Sequence, residues 1–393
     1  MTFTATLRPH QFDAVGAMID NNKGQIICPT GSGKTLIAIF DAYREFKSST
    51  PKTCVVVSPR LLLSNQLCSE FLEHIDNAHV LHVHSGETQY FKTTNPNRIK
   101  LFVDNVEGHK LIFTTYHSLH RVVEAGVKVD TIHFDEAHNS VQRHFFPAVE
   151  HYAQEANRSY FYTATPKHSL SVFKPGMNDA EVYGNVIVNV PAPQLVEEGY
   201  ILPPKVAVKQ LPMVQDKQMV AERDAENLVE TIDEHSLNKI LICARSTRQI
   251  VKLVTESDFS TELQERGYSV MYITAKTGGV IDGKKVGRDE FFKTLNEWGK
   301  DSTKKFVVLH HSILSEGISV SGLEAVLFMR NMDYIGLSQS IGRVIRLGGP
   351  EKTFGLVVVP VYDRVGINTA KSVQAVVDTV FNEGQPAVSV VRK

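Results

Sequence analysis

The chain has 393 residues, 42% of them hydrophobic and 22% charged, with a formal net charge of -1. This balance excludes disordered and fibrous classes, and it means that any nucleic-acid contact must rely on local basic groups rather than on a globally basic surface. No run approaches the roughly 18 apolar residues that span a bilayer, the start Met1-Thr2-Phe3-Thr4 lacks the regions of an export signal, and Cys28, Cys54, Cys68 and Cys243 have no paired spacing, so a cytoplasmic protein with reduced, mostly buried thiols and no membrane association is expected.

At roughly 150 residues per domain, the length suits two or three domains. Short β-branched runs alternate with helix-like segments, the pattern of βα units that build a mostly parallel sheet flanked by helices. The first series of strands is expected at 25–28, 53–57, 110–114, 131–134 and 159–164, with helices at 36–46 and 61–71. Residues 171–204 carry Pro175-Gly176, Pro191, Pro193 and Pro203-Pro204, which favours irregular chain and a hinge near 198–205. A second series, at 205–211, 239–244, 269–275, 304–309, 325–329 and 355–359, repeats the architecture without repeating the sequence. The expected division is therefore an α/β domain at 1–200, a second at 201–368, and an extension at 369–393 that ends as a loose tail or as a strap on one domain.

Two segments carry chemistry. In Pro29-Thr30-Gly31-Ser32-Gly33-Lys34-Thr35, the glycines let backbone N–H groups converge on a phosphate at a helix start. Lys34 then supplies a point charge to the β and γ phosphates of ATP, and the Thr35 hydroxyl suits Mg2+. The strand 131–134 delivers Asp135 and Glu136 at its end, where paired acids are costly unless a metal or a proton transfer uses them. Asp135 is expected to hold Mg2+ and Glu136 to orient and deprotonate the attacking water.

With Asp135-Glu136-Ala137-His138 in place, the chain resembles the DEAH-type superfamily 2 helicases and translocases, whose core is two tandem RecA-like domains. By that resemblance His138 couples hydrolysis to the second domain, and Leu7-Arg8-Pro9-His10-Gln11 is similar to the motif that recognises adenine, with Gln11 as its reader and Arg8 beside it. Thr163-Ala164-Thr165-Pro166 matches the motif that links hydrolysis to movement. In the second half, Gly317 and Ser319, then Gln339-Ser340-Ile341-Gly342-Arg343-Val344-Ile345-Arg346, complete the set, and the resemblance places Gln339, Arg343 and Arg346 at the γ-phosphate. Ser319 stands where commoner members have aspartate, a feature similar to the UvsW-type branch-migration helicases of phages.

For the track, Ser58-Pro59-Arg60 and Thr114-Thr115-Tyr116 in the first domain match the family's backbone-contacting motifs, as do Arg245-Ser246, Thr274 and the region from Ser312 in the second. Each is also readable as an ordinary turn or cap. Lys284, Lys285, Arg288, Lys300, Lys304 and Lys305 add local positive charge or form a solvated face. His82 and His84 share a strand face without a carboxylate or thiol partner, which argues against a metal. The resemblance implies a monomeric, ATP-dependent motor on single-stranded or branched DNA, moving 3′ to 5′ in replication and recombination. RNA as the track, or service as a motor subunit of a restriction or remodelling assembly, remain alternatives.

Overall fold

The computed structural model describes residues 3–171, 173–211, 220–274, 277–311, 320, 322–329, 332–347, 352–362 and 366–391, and every structural statement concerns these residues. They form two compact units, Met1–Pro191 with Pro386–Lys393, and Ala192–Gln385. The segment beyond 368 is thus divided between the two.

Unit 1 holds β1 (Lys23–Ile27), β2 (Thr53–Ser58), β3 (Ala78–Val83), β4 (His109–Thr115), β5 (Thr131–Phe134), β6 (Arg158–Thr163), β7 (Lys167–His168) and β8 (Val186–Asn189). Seven of these make one sheet in the order β3-β4-β2-β5-β6-β1-β8, with every neighbouring pair parallel. Strands such as Thr53-Cys54-Val55-Val56-Val57-Ser58 are buried along their whole length, because helices cover both faces of a parallel sheet. Phe134 and Phe161 stack at 4.7 Å across the middle of the core.

Residues 171–204 are less irregular than the prolines suggest. Val186-Ile187-Val188-Asn189 forms the edge strand β8 beside β1. Gly24 makes this possible, since a Cβ there would lie 2.7 Å from the Ile187 side chain. A four-residue run among proline and glycine signals is too short to stand out in the sequence. The end of the chain is a strap: β17 (Ser389–Val390) pairs in parallel with β7, and Val391 packs against the unit 1 core.

Unit 2 holds β9 (Pro204–Leu211), β10 (Lys239–Cys243), β11 (Ser269–Thr274), β12 (Gly278–Ile281), β13 (Lys284–Val286), β14 (Phe306–His310), β15 (Ala325–Phe328) and β16 (Gly355–Tyr362). The order is β13-β12-β11-β14-β10-β15-β16-β9, parallel except for β12 and β13. Those two form a hairpin turning at Asp282-Gly283, both with positive φ, as a tight hairpin requires. Lys284 and Lys285 lie exposed on this edge strand, where charge blocks edge-to-edge pairing. With two sheets of this kind in sequence, the fold is a pair of tandem RecA-like α/β domains.

Two helices of unit 1 frame the glycine loop: α1 (Pro9–Asp20) and α2 (Lys34–Glu45). Below the loop, a buried ionic cluster ties α2 to β5 and β6. Arg158 bonds both oxygens of Asp41 at 2.8 and 3.1 Å and Glu45 at 2.7 Å, while Thr131 donates to Glu45 at 2.6 Å. Burial, with Arg158 nearby, pushes His133 down to about 3, so its ring stays neutral among these charges. Removing one partner of such a cluster leaves an uncompensated buried charge, which costs about 3–5 kcal/mol. Arg158→Met is therefore expected to lower denaturant stability by about that amount. A loss below about 1 kcal/mol would show that Asp41 and Glu45 do not depend on the guanidinium.

Candidate active site

The loop 28–33 leaves β1 and ends where α2 begins. Gly31 and Gly33 have φ of 90° and 84°, a region that side chains rarely enter. A Cβ on Gly33 would also lie 2.2 Å from Gln11 Nε2. The start of α1 holds the loop from its carbonyl side: Gln11 Nε2 donates to the carbonyls of Ser32 at 3.1 Å and Gly33 at 3.3 Å, His10 Nε2 lies 2.9 Å from the Ser32 carbonyl, and Arg8 donates to the Gly31 carbonyl at 3.4 Å. Engaging the Ser32 and Gly33 carbonyls turns the N–H groups of Gly33 and Lys34 toward the opposite side, while the Ser32 N–H closes the loop on the Pro29 carbonyl at 3.2 Å. Lys34 Nζ lies over the loop, 3.1 Å from the Cys28 carbonyl and 3.3 Å from that of Pro29. Thr35 follows it in the first turn of α2.

The Gln11 carboxamide is committed at both ends, because its oxygen also accepts from the Arg8 N–H at 2.9 Å, and the residue is 2% exposed. His10 has no sequence signal of its own beyond its place beside Gln11.

Asp135 and Glu136 stand at the end of β5. The Asp135 N–H continues the sheet by bonding the Val57 carbonyl, and the Tyr116 hydroxyl donates to the Asp135 carbonyl at 2.8 Å. Burial, reinforced by the neighbouring Glu136, pushes the Asp135 carboxyl up to about 7 from its usual acid range, and Lys34 opposes the shift. Glu136 has φ 47° and ψ 53°, a strained left-handed conformation for a non-glycine residue. That turn brings its carboxylate 3.5 Å from His138 Nδ1.

His138 is the junction of the site. Asn139 Nδ2 lies 3.2 Å from His138 Nε2, a contact that suits a ring proton on Nδ1. That nitrogen is 3.0 Å from the Thr163 hydroxyl and 3.3 Å from the Thr165 hydroxyl. The acid turn is thereby joined to the end of β6 through one imidazole. Asn139 also donates to the Glu136 carbonyl at 3.0 Å, a contact with no separate motif in the sequence.

The track candidates fall into three groups. Arg60 and Arg245 are exposed. Ser246 caps the helix Thr247–Thr255 by accepting from the Gln249 N–H, Thr274 receives the Thr277 N–H in a turn, and Ser58 donates to the Arg60 carbonyl. Pro59, Thr114, Thr115 and Tyr116 are buried. Tyr116 is a core side chain, its ring 6.3 Å from Phe134 and 5.8 Å from Phe145, and its aromatic size explains that placement. In unit 2, Gln339 and Arg343 lie buried on the helix Tyr334–Val344, and Arg346 comes just after the helix end rather than on it. Ser312, Gly317 and Ser319 lie outside the described residues. All four cysteines are buried, and none is in a disulfide. Among the described residues no cluster of three or more metal-ligating side chains occurs, and no helix is long and apolar enough to cross a membrane.

Residues 4–168 match the family described as "Type III restriction enzyme, res subunit". No curated protein matches the chain. Among solved structures, the chain is similar to the ATP-dependent Type ISP restriction-modification enzyme LlaBIII bound to DNA, with TM-score 0.73 and 17% identity over 98% of this chain and 31% of that one. It is also similar to a putative HsdR subunit of a type I restriction enzyme from Vibrio vulnificus, with TM-score 0.64 and 15% identity over 99% of this chain and 70% of that one. Helicase Lhr of Mycobacterium smegmatis bound to ssDNA and AMP-PNP gives TM-score 0.65 and 19% identity over 98% of this chain and 49% of that one. The chain thus spans about a third of the length of LlaBIII and half that of Lhr. These structures are all under 20% identical to the chain, and what they share with it is the fold of tandem RecA-like α/β domains.

The raised Asp135 carboxyl gives a pH signature for the nucleotide-free protein. A carboxyl whose folded value lies above its unfolded one contributes stability at low pH that is lost as pH rises through the folded value. Asp135→Asn removes that loss, so the variant's melting temperature is expected to gain on the wild type between pH 5 and pH 8. A difference that stays flat across this window would contradict a raised Asp135 carboxyl.

Proposed function

We propose that the protein is an ATP-dependent DNA translocase or helicase. The observation that carries this reading is the continuous path from Glu136 through His138 to Thr163 and Thr165, because a coupled motor needs its hydrolytic acid connected to a segment that can register the change. ATP is expected to lie with its phosphates against the N–H side of the loop, with Lys34 on the β and γ groups. Mg2+ fits the donor set, since Thr35 and Asp135 offer hard oxygens and the half-buried Asp135 carboxylate beside Glu136 calls for a compensating cation. That ion, when bound, neutralises charge on the transferring phosphoryl group.

In the step itself, Glu136 takes a proton from water as the water oxygen bonds to the γ phosphorus. The bond from that phosphorus to the β-bridging oxygen breaks, and ADP carries the charge away. Gln339, Arg343 and Arg346, supplied by the second RecA-like domain, are assigned to the γ-phosphate during this step. Gln11 and Arg8 complete the nucleotide-binding side, and Gly317 is assigned there by resemblance. Glu136→Gln is expected to keep ATP binding and lower turnover by at least about 100-fold, while Lys34→Ala weakens binding itself. Wild-type turnover by Glu136→Gln would remove the base assignment.

DNA is the proposed track because LlaBIII and Lhr are described with DNA bound. The finer reading is remodelling of forked or branched DNA in replication and recombination, with grip from Arg60, Arg245 and the main chain around Ser58, Thr115, Ser246, Thr274 and Ser312. A second reading, a motor module of a restriction assembly, is favoured by the family match and by the short share of LlaBIII that the chain spans. ATP turnover measured with no polymer, single strand, duplex, fork and RNA separates them. Forks that stimulate more than duplex support the remodelling motor, an inert isolated protein supports the module, and equal stimulation by RNA contradicts DNA as the exclusive track.

A further inference from the structure

The loop that follows Thr163-Ala164-Thr165-Pro166 has no place in the reading so far. Leu170 and Phe173, at 88% and 93% exposure, are the two most exposed large hydrophobic side chains among the described residues. Scattered exposed apolar residues are ordinary. Two at the tip of one loop whose base is fastened from several directions are not.

The fastening is extensive. The Met177 N–H donates to the Lys167 carbonyl at 2.7 Å. The Asn178 side chain receives the Ser169 N–H at 2.7 Å and donates to the Ser169 carbonyl at 2.9 Å, closing the loop like one rung of a strand pair. Gly176 is required at that closure, since a Cβ would lie 2.3 Å from the Ser169 nitrogen. The outgoing leg is braced by β17, with Ser389 N–H on the Pro166 carbonyl and Val391 N–H on that of His168. Within the loop, Ser171 accepts the Lys174 N–H through its carbonyl and the Phe173 N–H through its hydroxyl.

Charge selects the partner. From Thr165 to Asn178 the sequence contains Lys167, His168 and Lys174 and no aspartate or glutamate, although the chain as a whole carries 43 acids against 42 lysines and arginines. A basic, acid-free loop with a presented aromatic ring matches a strand of phosphates and unstacked bases, where the ring offers a sequence-tolerant stacking face and the lysines meet the backbone. The acids resume only past the loop, at Asp179 and Glu181, so the lysines stand beside the exposed ring without a carboxylate of the loop itself.

We propose that the loop 167–178 is a nucleic-acid contact in which Phe173, supported by Leu170, stacks on an unpaired base. This rests on the motor reading above and adds a contact that none of the motifs supplies. The contact leaves the same strand end as Thr163 and Thr165, so the ring is set a few residues from the path that reaches Glu136.

The test uses the full chain. Phe173→Ala is expected to leave ATP turnover without polymer unchanged and to raise the single-strand concentration needed for half-maximal stimulation by roughly 5- to 100-fold, the range that one stacked base supplies. Phe173→Trp, made with Trp298→Phe, is expected to keep stimulation and to show fluorescence quenching on adding an oligothymidylate. If oligothymidylate stimulates wild type and Phe173→Ala at the same concentrations, or the new tryptophan is not quenched, the loop contact is overturned while the motor stands. If no nucleic acid stimulates the wild type, the motor reading fails first.

Discussion

The arrangement depends on how the glycine loop is held. A loop that must point several backbone N–H groups at an anion has to dispose of the carbonyls of the same peptides, and here α1 receives them through Arg8, His10 and Gln11. The left-handed glycines permit the path, and the three donors fix it. Anion binding then costs little reorganisation, because the donors are already oriented.

A second consequence concerns the acids. The all-parallel sheet places the ends of β1, β2, β5 and β6 on one side, and the loop, Asp135 and Thr163 therefore share an edge. Glu136 leaves this edge through a strained turn, and one imidazole connects it to the two threonines. Beneath them, the Arg158 cluster keeps α2 in register with β5 and β6. The charges at the base and the acid at the edge differ in kind: Asp41 has its guanidinium in contact, whereas Asp135 has Lys34 and a backbone hydrogen bond from Glu136 to oppose its desolvation.

Much of this was legible in the sequence because phosphate loops and acid-ended strands restrict residue type at every position. Lys34, Asp135 and Glu136 could be named from residue type at a glycine loop and a strand end, His138 only through the family resemblance, and both sheets from the alternation of strand and helix runs. Other features had no such constraint. The strand β8 is four residues long among turn signals, and only its pairing with Gly24 reveals it. Tyr116 follows a strand as a backbone-contacting residue should, yet an aromatic ring with a single hydroxyl partner is equally at home in the core, and packing decided. Gln11 stands at the position similar to an adenine reader, but its carboxamide is occupied by the loop, a contact 21 residues distant in sequence that no local pattern encodes. The loop 167–178 did carry a readable signal, a basic stretch without acids around Phe173, which its proline and glycine disguised as mere connection.

The fastening of the loop by Gln11 separates this account from one in which the residue only reads the base. Titrating wild type and Gln11→Ala with ATP, GTP and inorganic tripolyphosphate distinguishes them. The account predicts that all three ligands weaken together, by roughly tenfold for about 1.4 kcal/mol of lost loop organisation. A loss confined to ATP, with GTP and tripolyphosphate unchanged, would contradict it.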